Sequence, residues 1–216
     1  MGVGGDSASS PSAFSVDQLP RWGDGRRLRV GLLGGSFNPA HEGHAQIAHR
    51  AIRVLGLDQV WLMVSPGNPL KPTRGMAPLA ERLASAQALA DSPAIVATAI
   101  EAGLGTRYAL DTVRRLRIRF PHVRFVWLMG ADVFAELPRW SRWREFVRSV
   151  PIAVAPRPHS NVAALRGRTA SVLARYRLPS GQVRALAEKT PPVWAFLPGQ
   201  QNGISATDLR RSRASV

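Results

Sequence analysis

The sequence predicts an α/β fold, a Rossmann-like doubly wound parallel sheet in a single domain, and three observations carry that prediction. Six short runs rich in β-branched and aromatic residues recur along the 216-residue chain. Helical patterns lie between them. A glycine-rich turn joins the first run to the first helix, where open parallel sheets bind ligands.

Residues 1–27 are rich in Gly, Ser and Pro and lack periodicity, which predicts a mobile or loosely docked N-terminal extension ahead of a domain spanning 28–216. The apolar runs are LRVGLL (28–33), QVWLMV (59–64), AIVATAI (94–100), VRFVWLM (123–129), PIAVA (151–155) and PVWAFL (192–197). Such near-continuous runs suit strands buried on both faces. After the first run, 41–56 places Ala48, Ile52 and Leu55 on one helical face and stops at Gly56. A second helix opens at Pro78 and lines up Leu79, Leu83, Ala86 and Ala90. A third, over 108–120, carries Leu110, Val113 and Leu116 at the same spacing. The segment 157–190 reads as helical and very basic, without a strand.

Composition narrows the function. The chain has no cysteine, which excludes disulfides, thiolate metal sites and a Cys nucleophile and suits a reducing cytoplasm. No apolar run is long enough to span a bilayer, and MGVGGDSASSPSAF lacks the basic start and apolar core of a secretory signal. The net charge of +15 comes from 29 Lys+Arg against 14 Asp+Glu. Either it concentrates anions, nucleotides or nucleic acid, or it reflects only an Ala-, Arg- and Pro-rich composition.

The turn after the first strand reads GGSFNPAHEGH (34–44). Gly34 and Gly35 allow close backbone approach to a ligand, and the following helix start offers free N–H groups and a positive dipole end. His41 and His44, three apart, share a face of the first helical turn. They could ligate a metal, move a proton or hold an anion. No third ligand accompanies them at a useful spacing, so no resident metal site is expected. Two histidines behind a glycine pair fit hydrogen-bond donation to an anion, whereas His49 reads as a solvated helix-face residue. Near the far end, NGISATDLRRSR supplies Ser205 and Thr207 as helix-capping hydroxyls and Arg210 on the first turns, a second anion cradle.

GGSFNPAHEGH and ISATDLR resemble the T/HxGH and ISxTxxR motifs of the nucleotidylyltransferase superfamily. GADVFAELPRWSRW (130–143) and RYALDTVRRL (107–116) are similar to further elements of the bacterial nicotinate-nucleotide adenylyltransferase family, and the likeness runs from about residue 28 to 212. The resemblance implies a nucleotidylyltransferase-type fold and transfer of the adenylyl group of ATP to nicotinate mononucleotide, giving deamido-NAD and pyrophosphate. It implies that the backbone of Gly34, Gly35, Ser36 and Phe37 lies against the phosphates. His41 and His44 then donate to them, and Arg210 with Ile204, Ser205 and Thr207 holds the leaving group. Mg²⁺ arrives with ATP. Gly130 and Asp132 match a nucleotide-contacting element, with Asp132 the candidate for nucleotide hydroxyls and helix capping its lesser alternative. Trp140 matches the tryptophan that stacks on the pyridine ring, with Trp143 close enough to compete for that part. Ser36, Tyr108, Ala109 and Asp132 complete the mononucleotide side. Lys71 is either a phosphate contact or a lone exposed lysine, and Asp111 either a site residue or an ordinary helix residue.

Three positions depart from the family pattern: Leu70 stands where a His is common, Ala109 where a Thr is usual, and Asn38 where an Asp is usual. The Ala109 change bears on preference for nicotinate over nicotinamide. Two other readings compete. One is another superfamily enzyme acting on phosphopantetheine or glycerol phosphate, which the GAD…LPRW segment disfavours. The other is a nucleic-acid-binding module, against which the arginines are scattered and no aromatic single-strand platform is evident. Neither a membrane nor a nucleic acid is expected as a partner, and a homo-oligomer is left open.

Overall fold

The computed structural model describes residues 27–67, 75–158 and 160–199. Every apolar run forms a strand: β1 (Arg29–Gly35), β2 (Gln59–Val64), β3 (Ile95–Thr98), β4 (Arg124–Gly130), β5 (Ile152–Ala155) and β6 (Trp194–Phe196). They make one sheet in the order β3-β2-β1-β4-β5-β6, each neighbouring pair parallel. The order reverses between β1 and β4, so the crevice beyond their carboxyl ends is the ligand position the topology favours. Of the proposed extension, only Arg27 falls among the described residues.

Side chains alternate across the sheet and feed two cores. One joins Val30, Leu32, Trp127 and Ile152 to α4 (Ala109–Arg119), α5 (Ala131–Glu136) and α6 (Trp143–Val147). On the other face, Leu33, Leu62 and Leu128 meet α1 (Glu42–Leu55), α2 (Leu79–Gln87) and the 3-10 helix Ser180–Glu188. Small residues bring α1 close: Ala45, Ala48 and Ala51 are buried. A Cβ on Gly31 would lie 2.8 Å from both Leu57 and Leu128.

α1 stops at Gly56, whose φ of 64° is the left-handed conformation glycine adopts without steric cost. The run 94–100 is shorter as a strand than predicted because the chain turns at Ala99 into the short α3 (Ile100–Leu104). The basic segment also departs from a simple helical reading. It breaks into α7 (Asn161–Arg166), α8 (Arg168–Val172) and 3-10 turns, for two local reasons. Gly167 is extended at the α7–α8 junction, where a Cβ would press on the Ala163 carbonyl, and Pro179 precedes the final 3-10 helix.

Candidate active site

β1 ends in a turn that the sequence makes narrow and rigid. Gly34 is exposed, and a Cβ there would come within 3.2 Å of the Trp127 ring. Two residues on, Phe37 is buried at a φ of 47°, a conformation a bulky side chain holds only when its surroundings dictate it. Its ring lies 4.6 Å, centroid to centroid, from that of His44, and the His41 and His44 rings are 3.9 Å apart. The turn, the aromatic ring and both histidines thus form one packed unit at the start of α1.

The hydrogen bonds of that unit set the chemistry of His44. The His41 backbone N–H donates to His44 Nδ1 at 3.2 Å, so Nδ1 carries a lone pair and the ring proton sits on Nε2. Burial lowers the His44 imidazole to about 3, with the charges of His41 and Arg157 adding to the effect. Burial, then Arg157, also pushes His41 down. Both rings therefore favour the neutral form: each is a poor proton acceptor but keeps one N–H to donate. Among the described residues, His41 Nδ1 is buried without a hydrogen-bond partner. Gly43 makes room for this arrangement, since a Cβ there would approach the His41 ring to 3.0 Å and Arg157 to 3.3 Å.

Across the switch point, Gly130 ends β4 and is the N-cap of α5. Asp132 therefore sits inside the first turn and is not the capping residue; its carboxylate is exposed and crowds the space a Cβ on Gly130 would need. Arg157 Nε lies 3.1 Å from that same point, which brings the loop after β5 up to the crevice.

Beside the turn opens a cavity of about 370 Å³. Gly34, Gly35 and Ser36 line it from the end of β1 and the turn after it, Tyr108 and Ala109 from the start of α4, and Trp140 from the segment before α6. Trp140 stands edge-on to Trp127 at 6.2 Å, with Phe146 at 5.4 Å. Trp143 is buried in α6 and does not line the cavity, so of the two candidate tryptophans only Trp140 offers it a face. Glu101 lies in the cavity wall, 8% exposed, and accepts a hydrogen bond from Thr112 Oγ1 at 3.0 Å. Burial raises its carboxyl above the ordinary range. A larger groove, about 760 Å³, runs along the opposite, amino-terminal edge of the strands and is remote from the glycine turn.

The structure thus brings together Gly34, Gly35, Ser36, Phe37, His41 and His44, with Tyr108, Ala109 and Trp140 around the adjoining cavity. Asp111 is held by Arg142, whose Nη2 lies 2.8 and 2.7 Å from its two carboxylate oxygens. His49 is exposed as expected and pairs with Asp91 at 3.0 Å. Asn38 bonds the Gly75 carbonyl and the Ala77 amide, tying the turn to the chain entering α2. Lys71, Leu70, Ile204, Ser205, Thr207 and Arg210 lie outside the described residues. Sequence reasoning passed over Arg82, Arg157 and Glu101. Only Arg82 left a local signal: a charge three residues from Leu79, on the stripe that also holds Leu83 and Ala86.

A family model described as cytidylyltransferase-like matches residues 32–212. A "Probable nicotinate-nucleotide adenylyltransferase" of Gluconacetobacter diazotrophicus is 59% identical over 197 residues, 91% of this chain and 92% of that protein. Its namesake from Gluconobacter oxydans is 61% identical over 185 residues, 86% of this chain and 95% of that protein. Among solved structures, the nicotinic acid mononucleotide adenylyltransferase of Plasmodium falciparum complexed with NaAD superposes with a TM-score of 0.63 at 13% identity. That match covers 85% of this chain and 83% of that one, a likeness of fold.

Proposed function

The chain belongs to the nicotinate-nucleotide adenylyltransferase family, and on that premise we propose that it transfers the adenylyl group of ATP to nicotinate mononucleotide in NAD biosynthesis, forming deamido-NAD and pyrophosphate. The observation that carries the reading is a juxtaposition. A turn with paired imidazole donors, suited to phosphates, adjoins a cavity walled by Trp140 and Tyr108, suited to a flat aromatic ring.

In this reaction a 5′-phosphate oxygen of the mononucleotide attacks the α-phosphorus of ATP, and the bond to the bridging oxygen breaks as pyrophosphate departs. The attacking phosphate, with a second pKa near 6, is largely dianionic at neutral pH and needs no general base. That agrees with a His44 ring lowered to about 3, which donates a hydrogen bond and does not accept a proton. Neutral His41 and His44 stabilise the charge that builds on the transferring group, and the Gly34–Phe37 backbone positions it. Arg210, with Ile204, Ser205 and Thr207, holds the leaving phosphates, and Lys71 meets a substrate phosphate. Gly130 leaves room beside Asp132 for nucleotide hydroxyls. Trp140 stacks on the pyridine ring, with Ser36, Tyr108 and Ala109 around it.

Mg²⁺ bound with ATP would neutralise charge on the triphosphate. His41, His44 and Arg157 offer N–H donors that suit phosphate oxygens, and among the described residues no group of three or more His, Asp or Glu side chains could hold a metal, so the metal's ligands would come from the phosphates and water. Among the described residues no helix is long and apolar enough to cross a membrane. The enzyme is assigned to the cytoplasm, beside its ATP. No nucleic acid takes part, and the reaction itself calls for no second copy of the chain.

Supplying ATP and Mg²⁺ with nicotinate mononucleotide, phosphopantetheine or glycerol phosphate in parallel, and measuring pyrophosphate, tests the assignment. Release is expected with the mononucleotide; release with another acceptor and none with the mononucleotide would overturn it.

A further inference from the structure

Arg82, on the fourth residue of α2, is 3% exposed, yet it has no carboxylate partner among the described residues. Its guanidinium instead donates to three backbone carbonyls. Nε reaches Ala77 at 2.9 Å, and Nη1 reaches Ser36 at 2.7 Å and Ser65 at 2.8 Å. Ser65 and Ala77 are where the chain leaves β2 and approaches α2, and Ser36 is the centre of the glycine turn. One buried side chain therefore joins the ends of β1 and β2 to the start of α2.

Two consequences follow from peptide geometry and charge. The Ser36–Phe37 bond is trans, so fixing the Ser36 carbonyl on Arg82 directs the Phe37 N–H the opposite way. That N–H meets no acceptor among the described residues. The same grip holds Phe37 at its positive φ, and the Phe37 ring packs on His44. Second, buried charges are ordinarily paired, because an uncompensated ion in a low-dielectric interior is costly. A guanidinium that meets only carbonyl dipoles beneath an anion-binding turn leaves its counter-charge to the ligand.

We propose that Arg82 is the positioning residue of the phosphate site: it aims the Phe37 amide and the His44 ring at the triphosphate, and the bound triphosphate is its counter-ion. The inference rests on the adenylyl-transfer reading for its turnover measurements and stands apart from it for binding. Arg82→Met keeps the stem without the head group, and Arg82→Lys keeps the charge without the fork.

The test begins with MgATP alone. Arg82→Met is expected to bind it more weakly and to gain less thermal stabilisation from it than the wild type, with Arg82→Lys in between. Equal binding and equal stabilisation in all three proteins would overturn the inference whether or not turnover is seen. In turnover with nicotinate mononucleotide, Arg82→Met should lose on the order of a hundredfold in kcat/KM for ATP, as misplaced reacting groups typically do. The preference between the two α-thiophosphate diastereomers of ATP should shift with it. That ratio does not depend on how much of the variant is folded. An unchanged ratio, or a loss equal to the fall in folded protein, would reduce Arg82 to a structural residue. Wild-type protein that binds MgATP but gives no product would count against the reaction and not against Arg82.

Discussion

His44 shows how local bonding decides chemistry that residue identity leaves open. An imidazole in this turn could bind a metal, accept a proton or donate one. The amide of His41 occupies Nδ1, and burial holds the ring neutral, which leaves donation from Nε2. Nitrogen chemical shifts should therefore report the Nε2–H tautomer, with no titration of this ring until the pH falls toward about 3. A ring that titrates near its ordinary value of about 6.5 would contradict the geometry. The stability linkage has a definite sign: as pH falls below about 6.5 the unfolded chain takes up the proton first, so His44 costs stability progressively until the folded ring protonates near 3. His44→Ala should lower kcat by about a hundred- to a thousandfold with a smaller effect on KM, as loss of a transition-state donor does. A change confined to KM would mean ground-state binding only. The histidine pair and the glycines were legible because spacing places them beside a strand end, and Trp140 was legible only through its match to the family's GAD…W element. Gly43 and Arg157 were not, because their roles depend on the loop after β5 folding back onto α1, a contact between residues more than a hundred positions apart.

At the scale of elements, α4 carries two functions on two faces. Leu110, Val113 and Leu116 enter the core, while Asp111, Arg114 and Arg117, also three apart, reach the chain around α6. Asp111 meets Arg142, Arg114 meets Glu145 at 2.9 Å, and Arg117 donates to the Ser149 carbonyl at 3.1 Å. This ladder fastens the segment holding Trp140 to the helix start holding Tyr108 and Ala109, the two walls of the cavity. Arg142 adopts a φ of 52° in doing so. Each pair is partly exposed, so Asp111→Asn should cost at most about 1 kcal/mol of stability. It should nevertheless raise KM for the mononucleotide while leaving KM for ATP near the wild-type value. Equal changes in both constants would show that the ladder does not act through the cavity. The apolar periodicity of α1, α2 and α4 was readable because each buries a single stripe. The 157–190 segment was not, since its short helices are set by Gly167 and Pro179 and by packing on β6 and α5.

Across the whole molecule, the order β3-β2-β1-β4-β5-β6 brings distant motifs to one place. Parallel strands put every strand-to-helix turn at the same edge, and the reversal between β1 and β4 parts two of those turns into a crevice. The alternation of apolar runs and helical patterns announced a doubly wound sheet. The strand order itself is written in tertiary packing, in how Gly31 admits Leu57 and Leu128, and not in any local pattern. The large basic groove at the opposite edge is a reminder that volume alone does not mark a site: it lies away from the glycine turn, the His41–His44 pair and Trp140. Passage of an adenylyl group between two anions held above this crevice is the proposed reaction. Incubating the protein with Mg²⁺, nicotinate mononucleotide and ATP labelled at the α-phosphorus tests it most directly. All transferred label should appear in the dinucleotide and none in the released pyrophosphate, whereas label left in free ADP or AMP, with no dinucleotide formed, would contradict it.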